Sequence, residues 1–144
     1  MEVSELVEAW GRCWEDMGLP RSDGRLLGYL LVCDPPEQSS ADLRKTLGMS
    51  AGSVSMATRR LMALGLVERT SRPGSRSSYF RVVPGGWMRL MEGELGRIER
   101  LARLAQASER LCSDDRSVEL RRLTEFWLEE WPKTLERIQR HLRP

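Results

Sequence analysis

Three serines and two arginines crowd into eleven residues, SAGSVSMATRR, as Ser50, Ser53, Ser55, Arg59 and Arg60. Two more arginines, Arg72 and Arg76, bracket Pro73-Gly74, with Ser75 and Ser77 alongside. Hydroxyl donors and forked guanidinium groups are suited to hydrogen-bonding phosphates and the edges of bases. Covalent chemistry has no comparable set of groups. One histidine, His141, is present, and Cys13, Cys33 and Cys112 are far apart with no CxxC pair. His-based metal or triad chemistry is therefore hard to assemble, neither a zinc ribbon nor a disulfide framework is indicated, and no catalytic residue, metal or cofactor is expected. Asp114 and Asp115 read as the cap of a following helix rather than as a carboxylate pair.

Charge is concentrated where those groups lie. The chain has a formal net charge of +2, yet residues 40–83 hold eight basic side chains against two acidic ones. Residues 1–39 hold three against eight, and residues 84–144 twelve against eleven. A local basic block between acidic and near-neutral flanks is what phosphate binding asks of a protein of modest pI.

Positioning requires a helix. On a helical wheel Val54, Ala57, Thr58, Leu61 and Leu64 gather on one side, and Gly52, Ser55, Met56, Arg59 and Ala63 on the other. Ser53 and Arg60 flank the second group. The small, hydroxylic and basic face can approach a groove closely. Ser50 caps this helix, Gly48 supplies a tight turn before it, and Ser40 caps a shorter helix reaching Leu47. Two strands, about 66–70 and 78–83, follow and are joined by TSRPGSRS with its Pro-Gly turn. Arg72 and Arg76 in that loop can meet phosphates or enter a narrow minor groove.

The flanks are helical. Val3, Leu6, Val7, Trp10, Cys13, Trp14 and Met17 recur at helical spacing over 2–17, and an apolar helix capped by Ser22 runs to about Cys33. A long helix spans about Trp87–Leu111 with a seam through Met91, Leu95, Ile98, Leu101, Leu104 and Ala105. A last helix carries Val118, Leu120, Leu123, Trp127, Trp131, Leu135, Ile138 and Leu142 in phase, with a kink or brief break expected at Pro132.

The segment LRKTLGMSAGSVSMATRRLMALGLVERT, followed by RPGSRSSYFRV, resembles the winged helix-turn-helix of the MarR superfamily of transcription regulators. It most resembles the GbsR-like branch, in which a GMSxGSVSMATRxLxxxGLV type of segment is characteristic. The resemblance covers about a third of the chain and implies a homodimer whose terminal helices interleave. Two recognition helices would enter successive major grooves of double-stranded DNA at an inverted-repeat operator, with wings beside them. Carried over by position, Ser50, Ser53, Ser55, Met56 and Arg59 fall on the recognition helix, and Arg72 and Arg76 on the wing. Gly52, Arg60 and Ser77 complete the expected DNA-binding set. The fold expected is mainly α with a small two-stranded β-wing. Residues 1–21 would form an N-terminal dimerisation helix, 22–86 the DNA-binding domain and 87–144 the C-terminal dimerisation helices.

All five tryptophans, Trp10, Trp14, Trp87, Trp127 and Trp131, lie outside the basic block. They are either core and interface packing or the lining of an effector pocket between dimer helices and winged domain. The resemblance implies a repressor released by a small lipophilic or aromatic effector. A second sensing route is a redox-active Cys13, although Glu15 and Asp16 are close in sequence and reactive thiols favour cationic neighbours. A winged helix that contacts proteins and has no DNA affinity is the other alternative. No apolar run approaches the roughly 20 residues of a membrane span, and the N-terminus is acidic, so a cytoplasmic location is expected.

Overall fold

In the computed structural model, which describes residues 1–144, the chain opens with α1 (Val3–Asp16). Glu2 and Glu5 form a capping box at its start, the Glu5 carboxylate accepting the Glu2 N–H at 3.0 Å. Then come α2 (Arg21–Leu30), β1 (Gln38–Ser39), α3 (Ser40–Leu47), α4 (Ala51–Ala63), β2 (Val67–Thr70) and β3 (Tyr79–Val82). Two long helices, α5 (Gly86–Leu111) and α6 (Asp115–Leu142), complete it. The molecule divides into two compact units, Met1–Trp87 and Met88–Pro144.

In the first unit α1 lies directly on α2. A methyl group at Gly24 would overlap the Trp10 carbonyl oxygen, and one at Gly28 would stand 2.6 Å from Trp10 Cγ. Only hydrogen at these two positions lets the helices meet so closely. The contact is edged by ion pairs from Arg21 and Arg25 to Glu8, each at 2.7 Å. Hydrogen bonds from Arg21 first, then Arg25, hold the Glu8 carboxyl below its ordinary value of 4.5. A carboxyl lowered in the folded state stabilises the fold above its ordinary pKa and stops doing so as pH falls through the lowered value. Glu8→Gln is therefore expected to cost no more than about 1 kcal/mol at neutral pH, because the pair is half-exposed. Urea titrations should show the gap to wild type closing in acid; a gap independent of pH would contradict this.

Leu26, Leu27, Leu43, Leu61 and Leu66 are fully buried and form the centre of this unit, with Val54, Ala57, Val67 and Phe80 around them. The sheet has three strands rather than the expected two, in the order β1-β3-β2, all antiparallel. β1 was invisible in the sequence because its two residues, Gln38 and Ser39, are polar and too few to alternate. Pairing to β3 places Ser39 opposite Tyr79 in extended conformation, so Ser39, not Ser40, caps α3 by accepting the Asp42 N–H at 3.1 Å. Likewise Pro20, not Ser22, precedes α2, which ends at Leu30 before the expected Cys33. The Ser22 hydroxyl instead donates to Asp23 at 3.2 Å.

In the second unit Asp114 caps α6 in a capping box with Ser117. The helix runs unbroken through Pro132, whose missing N–H removes one hydrogen bond among 28 residues. The expected seams are buried in part. Ile98, Ala102 and Ala105 of α5 and Thr124 and Leu135 of α6 are buried, while Leu104, Leu123, Phe126 and Trp127 are exposed. Trp131 links the helices through its indole N–H, which donates to the Met91 carbonyl at 3.2 Å. No helix is long and apolar enough to cross a membrane.

Candidate nucleic-acid interface

The turn between α3 and α4 is closed by Gly48, at φ +61°, with the Met49 N–H donating to the Arg44 carbonyl at 3.1 Å. That left-handed conformation is open to glycine at little cost. Ser50 then starts α4: its hydroxyl oxygen accepts the Ser53 N–H at 3.1 Å and lies 3.1 Å from the Ser53 hydroxyl. Ser50 is thus the helix cap. Ser50→Ala is expected to lower stability by about 1 kcal/mol. A calorimetric melting point unchanged by the substitution would refute that role.

The inner face of α4 carries Val54, Ala57, Thr58 and Leu61, all buried. The Thr58 hydroxyl donates to the Val54 carbonyl at 2.8 Å, which satisfies it without solvent. Gly52, Ser55, Met56, Arg59 and Ala63 lie exposed on the outer face, with Met56 at 48%. Arg60 departs from expectation. Its Nε and Nη2 donate to the two carboxylate oxygens of Asp23 on α2, both at 2.7 Å, and Asp23 is only 3% exposed. The carboxylate raises the Arg60 pKa. A buried carboxylate thus holds the Arg60 fork on the side facing α2, unlike the free outer face expected of it, although 38% of the side chain stays exposed.

β2 and β3 pair from Val67↔Val82 to Thr70↔Tyr79 and project the loop 71–78 as a wing. In that loop the Ser75 N–H donates to the Arg72 carbonyl at 3.1 Å across Pro73-Gly74. The Arg72 guanidinium stands over the Tyr79 ring at 4.3 Å, with its Nε 3.7 Å from Glu37. Arg76 and Ser77 are exposed, the Ser77 N–H donating to the Ser75 hydroxyl at 3.2 Å. A cation resting on an aromatic face keeps its charge and gains order.

Between α3, α4 and the wing lies an open groove of about 410 Å³, whose polar lining includes Ser40, Arg44, Ser55, Arg69 and Ser77. It unites Ser55 and Ser77, which were expected, with Ser40, Arg44 and Arg69, which were not assigned to the site. Arg69 stacks over Phe80 at 5.6 Å. Arg44 and Arg69 counted toward the basic block, but only the register of β2 and the placement of α3 bring them beside α4.

Three of the five tryptophans meet. Trp10, Trp14 and Trp87 have ring centroids 5.7, 6.3 and 6.5 Å apart, the separations of rings in mutual contact. Trp127 and Trp131 belong to α6 in the other unit. Cys13 and Cys112 are exposed, and partial burial pushes the Cys33 thiol up. No group of three or more His, Cys, Asp and Glu is placed to hold a metal ion.

Residues 17–77 match the profile of the MarR family. Over 103 residues the chain is 42% identical to the HTH-type transcriptional regulator MmpR5 of Mycobacterium tuberculosis, a match covering 72% of this chain and 61% of that protein. The chain thus spans about three-fifths of the curated relative's length. A crystal structure described as that of a transcriptional regulator superposes with a TM-score of 0.80 at 33% identity, covering 96% of this chain and 98% of the other. Those relatives are regulators, not enzymes. With family profile, sequence relative and fold in agreement, the chain belongs to the MarR family of winged-helix transcriptional regulators.

Proposed function

We propose that the protein is a homodimeric, sequence-specific DNA-binding regulator of the GbsR-like branch that represses by occupying an inverted-repeat operator. The observation that carries this is the outer face of α4, where Ser55, Met56 and Arg59 are exposed and Ser55 lines the basic groove together with the wing's Ser77. α4 would enter the major groove, and the wing arginines would meet phosphates or the adjacent minor groove. Residues 22–86 serve as the DNA reader. The first helix and residues 87–144 serve as dimerisation elements, a role favoured by the exposed Leu104, Leu123, Phe126 and Trp127. Half-sites about 34 Å apart then require both recognition helices to be held at that spacing. Release by a small lipophilic or aromatic effector, and a cytoplasmic location, rest on family membership alone.

Selection of bound duplexes from a random-sequence pool, followed by footprinting, tests the reading. A two-fold symmetric site, bound with an affinity that falls steeply with salt, is the expected result. Binding indifferent to both sequence and salt would instead favour a protein-contact module.

A further inference from the structure

We infer that Asp23 is the positioning residue of the recognition helix: it pins α4 to α2 through Arg60 and keeps that arginine out of the DNA contacts. This rests on the DNA-binding reading above. Asp23 sits in the first turn of α2, and both its oxygens accept from Arg60 at 2.7 Å. One of them also accepts from the Ser22 hydroxyl at 3.2 Å. A planar fork closed on a carboxylate fixes direction as well as distance, which a single contact does not. Arg60 immediately follows Arg59, one helical step of about 100° away, so locking Arg60 onto α2 sets the direction in which Arg59 leaves the helix.

The pin has a rigid base. The residue after Asp23 is Gly24, whose Cα lies against the backbone of Trp10, so the first turn of α2 is clamped by α1 on one side while it holds α4 on the other. A buried carboxylate stripped of its partner is costly, so α4 has one favoured seat rather than several. Discrimination between sequences depends on such a seat, whereas general attraction to phosphates does not.

The test compares wild type with Asp23→Asn and Arg60→Lys. The probes are a duplex selected from the random pool and a random-sequence duplex of equal length. Each substitution should lower the ratio of the two affinities about tenfold while random-duplex affinity changes little. Lysine keeps the charge but not the fork, so a wild-type ratio in Arg60→Lys would overturn the proposal. An equal loss on both duplexes would also overturn it, pointing to general destabilisation. Amide exchange on the free protein supplies an arm that needs no DNA. Asp23→Asn should speed exchange in α4 and leave α5 and α6 at wild-type rates, and unchanged protection of α4 would overturn the pin. Should wild type ignore both duplexes, the DNA-binding reading fails by itself, and the exchange arm still decides whether Asp23 holds α4.

Discussion

Replacing Arg59 and Arg76 together by alanine should flatten the salt dependence of duplex binding by about 0.9 in log–log slope for each phosphate that is no longer neutralised. In a dimer every replaced arginine counts twice. Both side chains are exposed and neither pairs with a carboxylate, so their charge is available to DNA. Arg72 is the weaker choice for this test, since Tyr79 and Glu37 already hold it in place. Arg60 is the internal control. Bound to Asp23, it releases no counterion from DNA when neutralised, so Arg60→Gln should weaken binding without changing the slope. Titrations of fluorescent duplex across a salt series decide the matter. A double variant with the wild-type slope would show that these arginines do not face the phosphates.

Gly24→Ala should be the most damaging small change in the chain. In an exposed helix interior, alanine in place of glycine is favourable by about 1 kcal/mol. At Gly24 the added methyl meets the backbone of Trp10 and stands 2.6 Å from Trp14 Cβ, and backbone cannot move aside as a side chain can. Overpacking costs about 1–3 kcal/mol and sometimes more, so the clash outweighs the propensity gain. Gly93 on α5 has nothing within 4 Å, and Gly93→Ala should stabilise instead. Opposite signs of the two changes in urea midpoint are expected. The Trp10 and Trp14 fluorescence should also report disturbed packing in the first variant alone. A Gly24→Ala protein as stable as wild type would refute the close packing of α1 on α2.

The reader itself was legible because each local signal agreed with its neighbours. Ser50, the outer and inner faces of α4, Gly48 and the Pro-Gly wing all stand where their residue types suggest. What the sequence concealed depended on partners distant in the chain. Arg60 looks like Arg59 until Asp23, 37 residues earlier, is brought beneath it. Ser39 and Ser40 are equally good caps by type, and only pairing of β1 with Tyr79 selects the first. Five tryptophans allowed either packing or a pocket lining, and a count of aromatic residues says nothing about which of them meet. The α5 and α6 seams were legible in part: Ile98, Ala105 and Leu135 are buried as expected, but small or polar Ala102 and Thr124 are buried too, while Leu104, Leu123 and Trp127 stand exposed. Periodicity marks an apolar stripe, and it does not say which neighbour covers it.

Ser39 belongs to a strand and to a helix cap at once, and this limits how the reader can be transplanted. A graft cut at Ser40 and Ala63 would contain every residue of the helix-turn-helix, yet α3 would arrive without its cap and without the strand that ties it to β3. The smallest portable unit runs from α2, which supplies Leu26 and Leu27 to the core and Asp23 to Arg60, through Val82. Sequence preference in this protein is therefore exchangeable only as a block. A donor α4 placed alone into the chain would bring its own outer face but inherit the seat that Asp23 dictates.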